Sequence, residues 1–143
     1  MSSGSCVVLD ASACAAWVMP DEMNISANRV FAQACIDEGV FHAPLLWHWE
    51  MGSILSLAET RQRIPIGAAQ IALQTLYQAK IRFDTAPSLH RMEQIMRQAK
   101  THDLSFYDAS YLELVLRLNG QLASKDKKLT QAAKTCGVPI FDF

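Results

Sequence analysis

Short apolar runs and longer stretches with helical spacing take turns along this chain. The first run, "CVVLD", carries two β-branched residues and reads as a strand, and "ASACAAWVM" after it has helical composition up to Pro20. Ser26 is placed to cap a helix to about Glu38, Gly39 to stop it, and "VFHA" reads as the next strand before Pro44 opens a helix through about Thr60. Residues 66–79 have helical spacing, "IRFDTA" is a strand candidate, and Ser88 can cap a helix carrying Met92, Ile95, Met96 and Ala99. "SFYDASYLELVLRLNG", residues 105–120, is an amphipathic helix ending in glycine; "GQLAS" is a short strand, "KKLTQAAKTC" a helix closed by Gly137, and "VPIF" a last apolar run. This alternation predicts an α/β domain with a mainly parallel central sheet flanked by helices. In open sheets of this kind, ligand sites form beyond the carboxyl ends of the strands.

Several acids break the pattern. In the helix over 105–120, at about 100° per residue, Ser110, Glu113 and Arg117 share one side, with Glu113 and Arg117 spaced for an i,i+4 pair. Tyr107, Tyr111, Leu112, Leu114, Val115 and Leu118 lie opposite, and Asp108 falls near the centre of that apolar arc. A helix cap explains it without a site: Ser105 caps and Asp108 is the third residue, as in a capping box. The Pro44-led helix repeats the anomaly, because Glu50 lies within the arc of Leu46, Trp47, Met51, Ile54, Leu57 and Ala58. Asp10 ends the first strand and Asp126 follows "QLAS", so both belong at the carboxyl edge, although Asp10, Ser12, Ser124 and Asp126 could each be a helix cap. Asp84 also follows a strand candidate. A buried carboxylate without a partner is unfavourable, and the inward faces offer few cations. Convergence on a hard divalent cation would balance the acids, and magnesium or manganese fits an all-oxygen site. Such a cluster suits metal-assisted phosphodiester hydrolysis.

Length and composition narrow the choice. The 143 residues are the size of one domain. Half of them are hydrophobic and 19% are charged, without repeats or low-complexity tracts, which argues against global disorder. No apolar run reaches the roughly 18 residues of a membrane span, and "MSSGSCVVLD" lacks the basic and apolar regions of a secretory signal. The expected location is cytoplasmic, with residues 1–5 flexible. A net charge of −1 supplies no global field for nucleic acid, so any polyanion contact rests on local groups such as Lys125, Lys127, Lys128 and Lys134, or Arg61 and Arg63. Cys6, Cys14, Cys35 and Cys136 lack CxxC spacing and read as buried thiols; the histidines lack HExxH spacing; GxxxxGK[ST] and GxGxxG are missing.

"VVLDAS", "APLLWHWEMGSIL", "LSFYDASYLELV" and "LASKDKKLTQAAKTCGVPIF" span nearly the whole chain. Together they resemble the PIN-domain ribonucleases, specifically the VapC-type toxins of type II toxin–antitoxin systems. The resemblance implies one PIN-like domain over residues 1–143, with Asp10, Glu50, Asp108 and Asp126 as catalytic acids and ligands of Mg²⁺ or Mn²⁺. Ser124 stands where the family carries Thr or Ser beside the metal, while Ser53 replaces the usual Asn three residues after the helix Glu, and Asp103 has no counterpart. A metal-dependent endoribonuclease, a cognate antitoxin covering the site and a homodimer are what the resemblance further implies. Lys125, Lys127 and Lys128 flank this edge and either guide RNA or form a solvated helix start. Trp47 and Trp49 either stack bases or pack in the core or a dimer interface. Two rivals remain: a catalytically silent PIN-like module that binds protein or RNA, and a receiver-like signalling domain. The second needs an acidic pair after the first strand, where "LDAS" supplies one acid.

Overall fold

The computed structural model describes residues 6–143, so the expectation for residues 1–5 lies outside the described residues. Strands β1 (Val7–Leu9), β2 (Phe41–Ala43), β3 (Arg82–Phe83) and β4 (Gln121–Ala123) form one parallel sheet in the order β3-β2-β1-β4. All three residues of β1 are buried, as befits a strand with neighbours on both sides and helices over both faces. Val7 and Leu9 join one core with Trp17, Phe41, Trp47 and Met51, whereas Val8 joins the other with Tyr111, Leu112, Leu122 and Leu129. That split is the two-residue alternation of a strand.

Among the described residues, seven helices surround the sheet: α1 (Ala11–Ala15), α2 (Ile25–Ile36), α3 (Leu46–Thr60), α4 (Ala68–Leu76), α5 (Leu89–His102), α6 (Phe106–Leu118) and α7 (Lys127–Thr135). The expected single α/β domain with a parallel sheet flanked by helices is therefore borne out. The registers Leu9↔Ala123 and Ala43↔Phe83 align the strand ends, so Asp10, Pro44, Asp84 and Ser124 all leave the sheet at its carboxyl edge.

Local details differ from the sequence reading. Asn24, not Ser26, caps α2, its side-chain oxygen accepting from the Ala27 N–H at 2.8 Å, and the helix stops at Ile36 before Gly39. "IRFDTA" pairs only at Arg82–Phe83, and "VPIF" contributes a single parallel bridge between Ile140 and Leu122. The polar side of α6 is wet only at Arg117: Ser110 and Glu113 are buried, because α6 is packed by α5 and α7 as well as by β1. Tyr107, expected inside, is 59% exposed, and Leu55 replaces Leu57 among the buried residues of α3.

Candidate active site

Asp10 directly follows β1 and is also the N-cap of α1, so the cap and site readings of this residue describe one geometry. Its Oδ1 accepts from the Ala13 N–H at 2.9 Å and from the Ser12 hydroxyl at 2.7 Å, and the Ser124 hydroxyl donates to Oδ2. The Asp10 N–H in turn donates to the Ala123 carbonyl at 3.1 Å, tying together the ends of β1 and β4. Ser124 also accepts from the Asp126 N–H at 2.9 Å, which makes it the link between two of the four acids. Asp126 caps α7, one carboxylate oxygen accepting from the Leu129 N–H at 2.8 Å.

Glu50 and Asp108 arrive from the helices. Glu50 is half-buried on α3, and the hydroxyl of Tyr111, a residue 1% exposed, donates to its Oε1 at 2.6 Å. Asp108 is half-buried in the first turn of α6, where Ser105 does cap, accepting from the Asp108 N–H at 3.0 Å.

Burial pushes Asp10, Glu50 and Asp108 above the usual carboxylate range. Repulsion adds to it: Asp10 feels Asp108, Glu50 feels Asp108 and Asp10, and Asp108 feels Asp126. Hydrogen bonds work the other way, from Ser12, Ser124 and Ala13 on Asp10 and from Tyr111 on Glu50; on Asp108 the opposing groups are Ser105 and Lys128. Repulsion thus couples Asp10, Glu50 and Asp108, and reaches Asp126 through Asp108. All supply hard anionic oxygen, the donor that magnesium and manganese take. Among the described residues, no three Asp, Glu, His or Cys side chains stand close enough together to hold an ion as they are.

The flanking residues are distributed as follows. Lys125 and Lys128 are exposed and pair with Glu22 and Asp103, each at 3.1 Å; Lys127 is exposed in the first turn of α7. Trp47 is core, its N–H donating to Cys14 Sγ at 3.3 Å, whereas Trp49 is 69% exposed. Ser53 is exposed on α3. Sequence reasoning missed Tyr111 as a partner of Glu50; the available signal was a hydroxyl on the same arc as the inward acid, since a buried phenol seeks a hydrogen-bond partner. It placed Asp84 after a strand candidate but not its partners: Asp84 accepts from Arg91 at 2.6 Å and from Arg117.

Fold and site define a parallel α/β domain with an acidic carboxyl edge. The PIN-domain pattern matches residues 7–135, and the chain belongs to the PIN-domain family. The resemblance to its VapC-type members is borne out by Ribonuclease VapC3 of Pyrobaculum aerophilum, 27% identical over 129 residues that cover 87% of this chain and 92% of that protein. Among solved structures, PAE2754 from Pyrobaculum aerophilum is similar with a TM-score of 0.68 and 21% identity, covering 91% of this chain and 80% of the other. Mycobacterium tuberculosis VapC20, described as a sarcin-ricin loop cleaving toxin, gives 0.62 at 20% identity, over 88% of this chain and 94% of that one. FitAcB from Neisseria gonorrhoeae gives 0.64 at 16% identity, over 95% and 96%. At these identities the solved structures speak for the fold. No helix among the described residues is long and apolar enough to cross a membrane.

Proposed function

We propose that this chain is a metal-dependent endoribonuclease that hydrolyses RNA phosphodiester bonds in the cytoplasm, as the toxin of a type II toxin–antitoxin pair. The observation that carries the reading is that Ser124 joins Asp10 to Asp126 by hydrogen bonds while half-buried Glu50 and Asp108 add their charges nearby; burial first and repulsion second push Asp10, Glu50 and Asp108 up, and Lys128 offsets only Asp108 among the leading effects. Acids that burial and one another disfavour, and that are met by hydrogen bonds more than by cations, suit a divalent cation as counter-charge. The likeness to a ribonuclease of the same family supplies the substrate class.

In this reading Asp10, Glu50 and Asp108 hold Mg²⁺ or Mn²⁺, directly or through water. When bound, the ion polarises the phosphate and lowers the pKa of the attacking water. Asp126 completes the site or orients that water, and Ser124, hydrogen-bonded to both Asp10 and Asp126, fixes their relative placement. Water, rather than the ribose 2′-hydroxyl, attacks phosphorus; the bond to the 3′-oxygen breaks and that oxygen leaves as a hydroxyl. The products carry 5′-phosphate and 3′-hydroxyl ends. Lys125, Lys127 and Lys128 guide the RNA backbone along this edge. A cognate antitoxin covers the acids, and the chain pairs as a homodimer. Exposed apolar side chains such as Trp49, Ile66 and Ile71 offer surface for those protein contacts.

The test is cleavage of a mixed RNA pool by the purified chain, separated from any co-purifying antitoxin, with Mn²⁺ or Mg²⁺, with EDTA, and as Asp108→Asn. Cutting is expected with metal, none with EDTA, and a loss of at least about 100-fold in the variant. Folded protein that neither cuts nor binds Mn²⁺ would move the assignment to a silent binding module.

A further inference from the structure

A cavity of about 140 Å³ opens at the same carboxyl edge, between the start of α3, the loop after β3, and helices α5 and α6. Leu46 lines it one helical turn before Glu50, and Phe106 and Tyr107 line it immediately before Asp108. At 1.5 Å per helical residue, the α3 wall lies about 6 Å along the axis from Glu50. A strand whose phosphate meets the acids can therefore place a neighbouring base here.

Charge excludes a second phosphate from this cavity. Asp84 pairs with Arg91 and Arg117, and Glu113 pairs with Arg117 at 2.8 Å, so two carboxylates and two guanidinium groups cancel. The occupant should be neutral. Pro87, Ile95 and Phe106 present it with apolar surface. Polar capacity remains in the lining: the Arg91 Nε–H is buried in the wall without a partner, and Thr85 Oγ accepts from Arg91 at 3.3 Å with its own proton unused. Ser110 donates to the Phe106 carbonyl at 3.0 Å and keeps lone pairs to accept with. A mostly apolar slot with a few donors and acceptors suits a flat heteroaromatic ring. Its size selects a single ring, since a cavity of about 150 Å³ takes up benzene.

We propose that this cavity is a base-recognition subsite that takes one pyrimidine of the RNA strand beside the cleaved phosphate. Its placement next to that phosphate rests on the ribonuclease reading of the acids, but binding of the base does not require cleavage. An aliphatic side chain of a protein partner would fill the slot without using the Arg91, Thr85 and Ser110 groups, which favours the base.

The first measurement is a metal-free titration of the full chain with uridine, cytidine, adenosine and guanosine, followed by amide NMR. Uridine or cytidine is expected to shift the Thr85, Tyr107 and Ser110 amides saturably, with the purines at least about tenfold weaker. Thr85→Trp, at an exposed position, fills the mouth and should abolish the shifts; Ser110→Ala keeps the shape and should weaken them. The second measurement sequences the ends of an RNA pool cut with Mn²⁺: a pyrimidine should be enriched at one position flanking the cut, and Thr85→Trp should erase that enrichment. No nucleoside shift overturns the inference whether or not RNA is cut, as does a shift given by N-acetyl-tryptophanamide and by no nucleoside. Pyrimidine binding without RNA cleavage supports the base subsite and overturns the ribonuclease reading alone.

Discussion

The Tyr111 hydroxyl donates to Glu50 Oε1 at 2.6 Å, and the ring is locked in the core where the phenol cannot turn away to water. Burial and the neighbouring Glu50 charge push the phenol well above its ordinary range, so it remains a donor. It fixes one carboxylate oxygen of a flexible side chain and leaves the other for a ligand. Tyr111→Phe keeps the ring and loses the tether. Mn²⁺ affinity should fall by about 10- to 100-fold, read by calorimetry; a lower melting temperature with unchanged Mn²⁺ affinity would reduce Tyr111 to packing. The acids were legible in the sequence because a carboxylate inside an apolar arc, or after an apolar run, is anomalous by itself. Tyr111 was not, since tyrosine in such an arc is ordinary core and its partner is 61 positions away. Asp84 was visible as an acid after a strand, but its neutralisation was not: Arg91 is 7 positions on and Arg117 is 33.

Among the elements, α6 and β4 meet at a close-packed junction. Asn119 closes α6 in the left-handed region at φ 53°, and Gly120 then passes so close to β1 that an added Cβ would sit 2.6 Å from the Cys6 carbonyl oxygen. The glycine at the end of the amphipathic stretch is thus there for close approach, and the asparagine supplies the turn. Gly120→Ala must displace backbone beside the central strand and should destabilise by about 1–3 kcal/mol in urea unfolding. An unchanged midpoint would mean that the junction can relax. Element order and most helix ends were readable from apolar spacing and caps, with Ser88 and Ser105 capping as expected. What spacing could not supply was the environment of each face. Glu113 sits on a polar stripe that reads as solvated, yet α5 closes over it and the charge is balanced by Arg117 at 2.8 Å. Asp84→Ala removes a carboxylate shared by Arg91 and Arg117 and should lower stability by about 2 kcal/mol. A thermal unfolding scan unchanged by this substitution would show that both guanidinium groups find other acceptors.

For the whole molecule, the acidic edge links stability to pH and to metal. Asp10, Glu50 and Asp108 keep their protons to higher pH in the folded chain than in an unfolded one, first through burial and then through mutual repulsion. Between the ordinary carboxylate values, about 3.9 for Asp and 4.3 for Glu, and the raised folded values, the native state binds more protons than the unfolded state. Their contribution is therefore fully present at or below those ordinary values and is lost as pH rises through the folded ones. Metal-free protein should melt at a lower temperature at pH 7.5 than its other groups would dictate, and Asp108→Asn should raise the melting temperature at pH 7.5 while flattening the rise seen on acidification towards pH 5. A divalent cation acts on the same charges with the opposite pH dependence, because it competes with protons for the carboxylates. Added Mn²⁺ should therefore raise the melting temperature at pH 7.5, do little at pH 4.5, and do little at either pH in Asp108→Asn. Calorimetric scans at the two pH values, with and without Mn²⁺, separate the cases. A metal-free melting temperature that climbs steadily from pH 4.5 to 7.5 in the wild type, with the same slope in the variant, would mean that the acids do not control stability; equal Mn²⁺ stabilisation of both proteins would place the ion elsewhere.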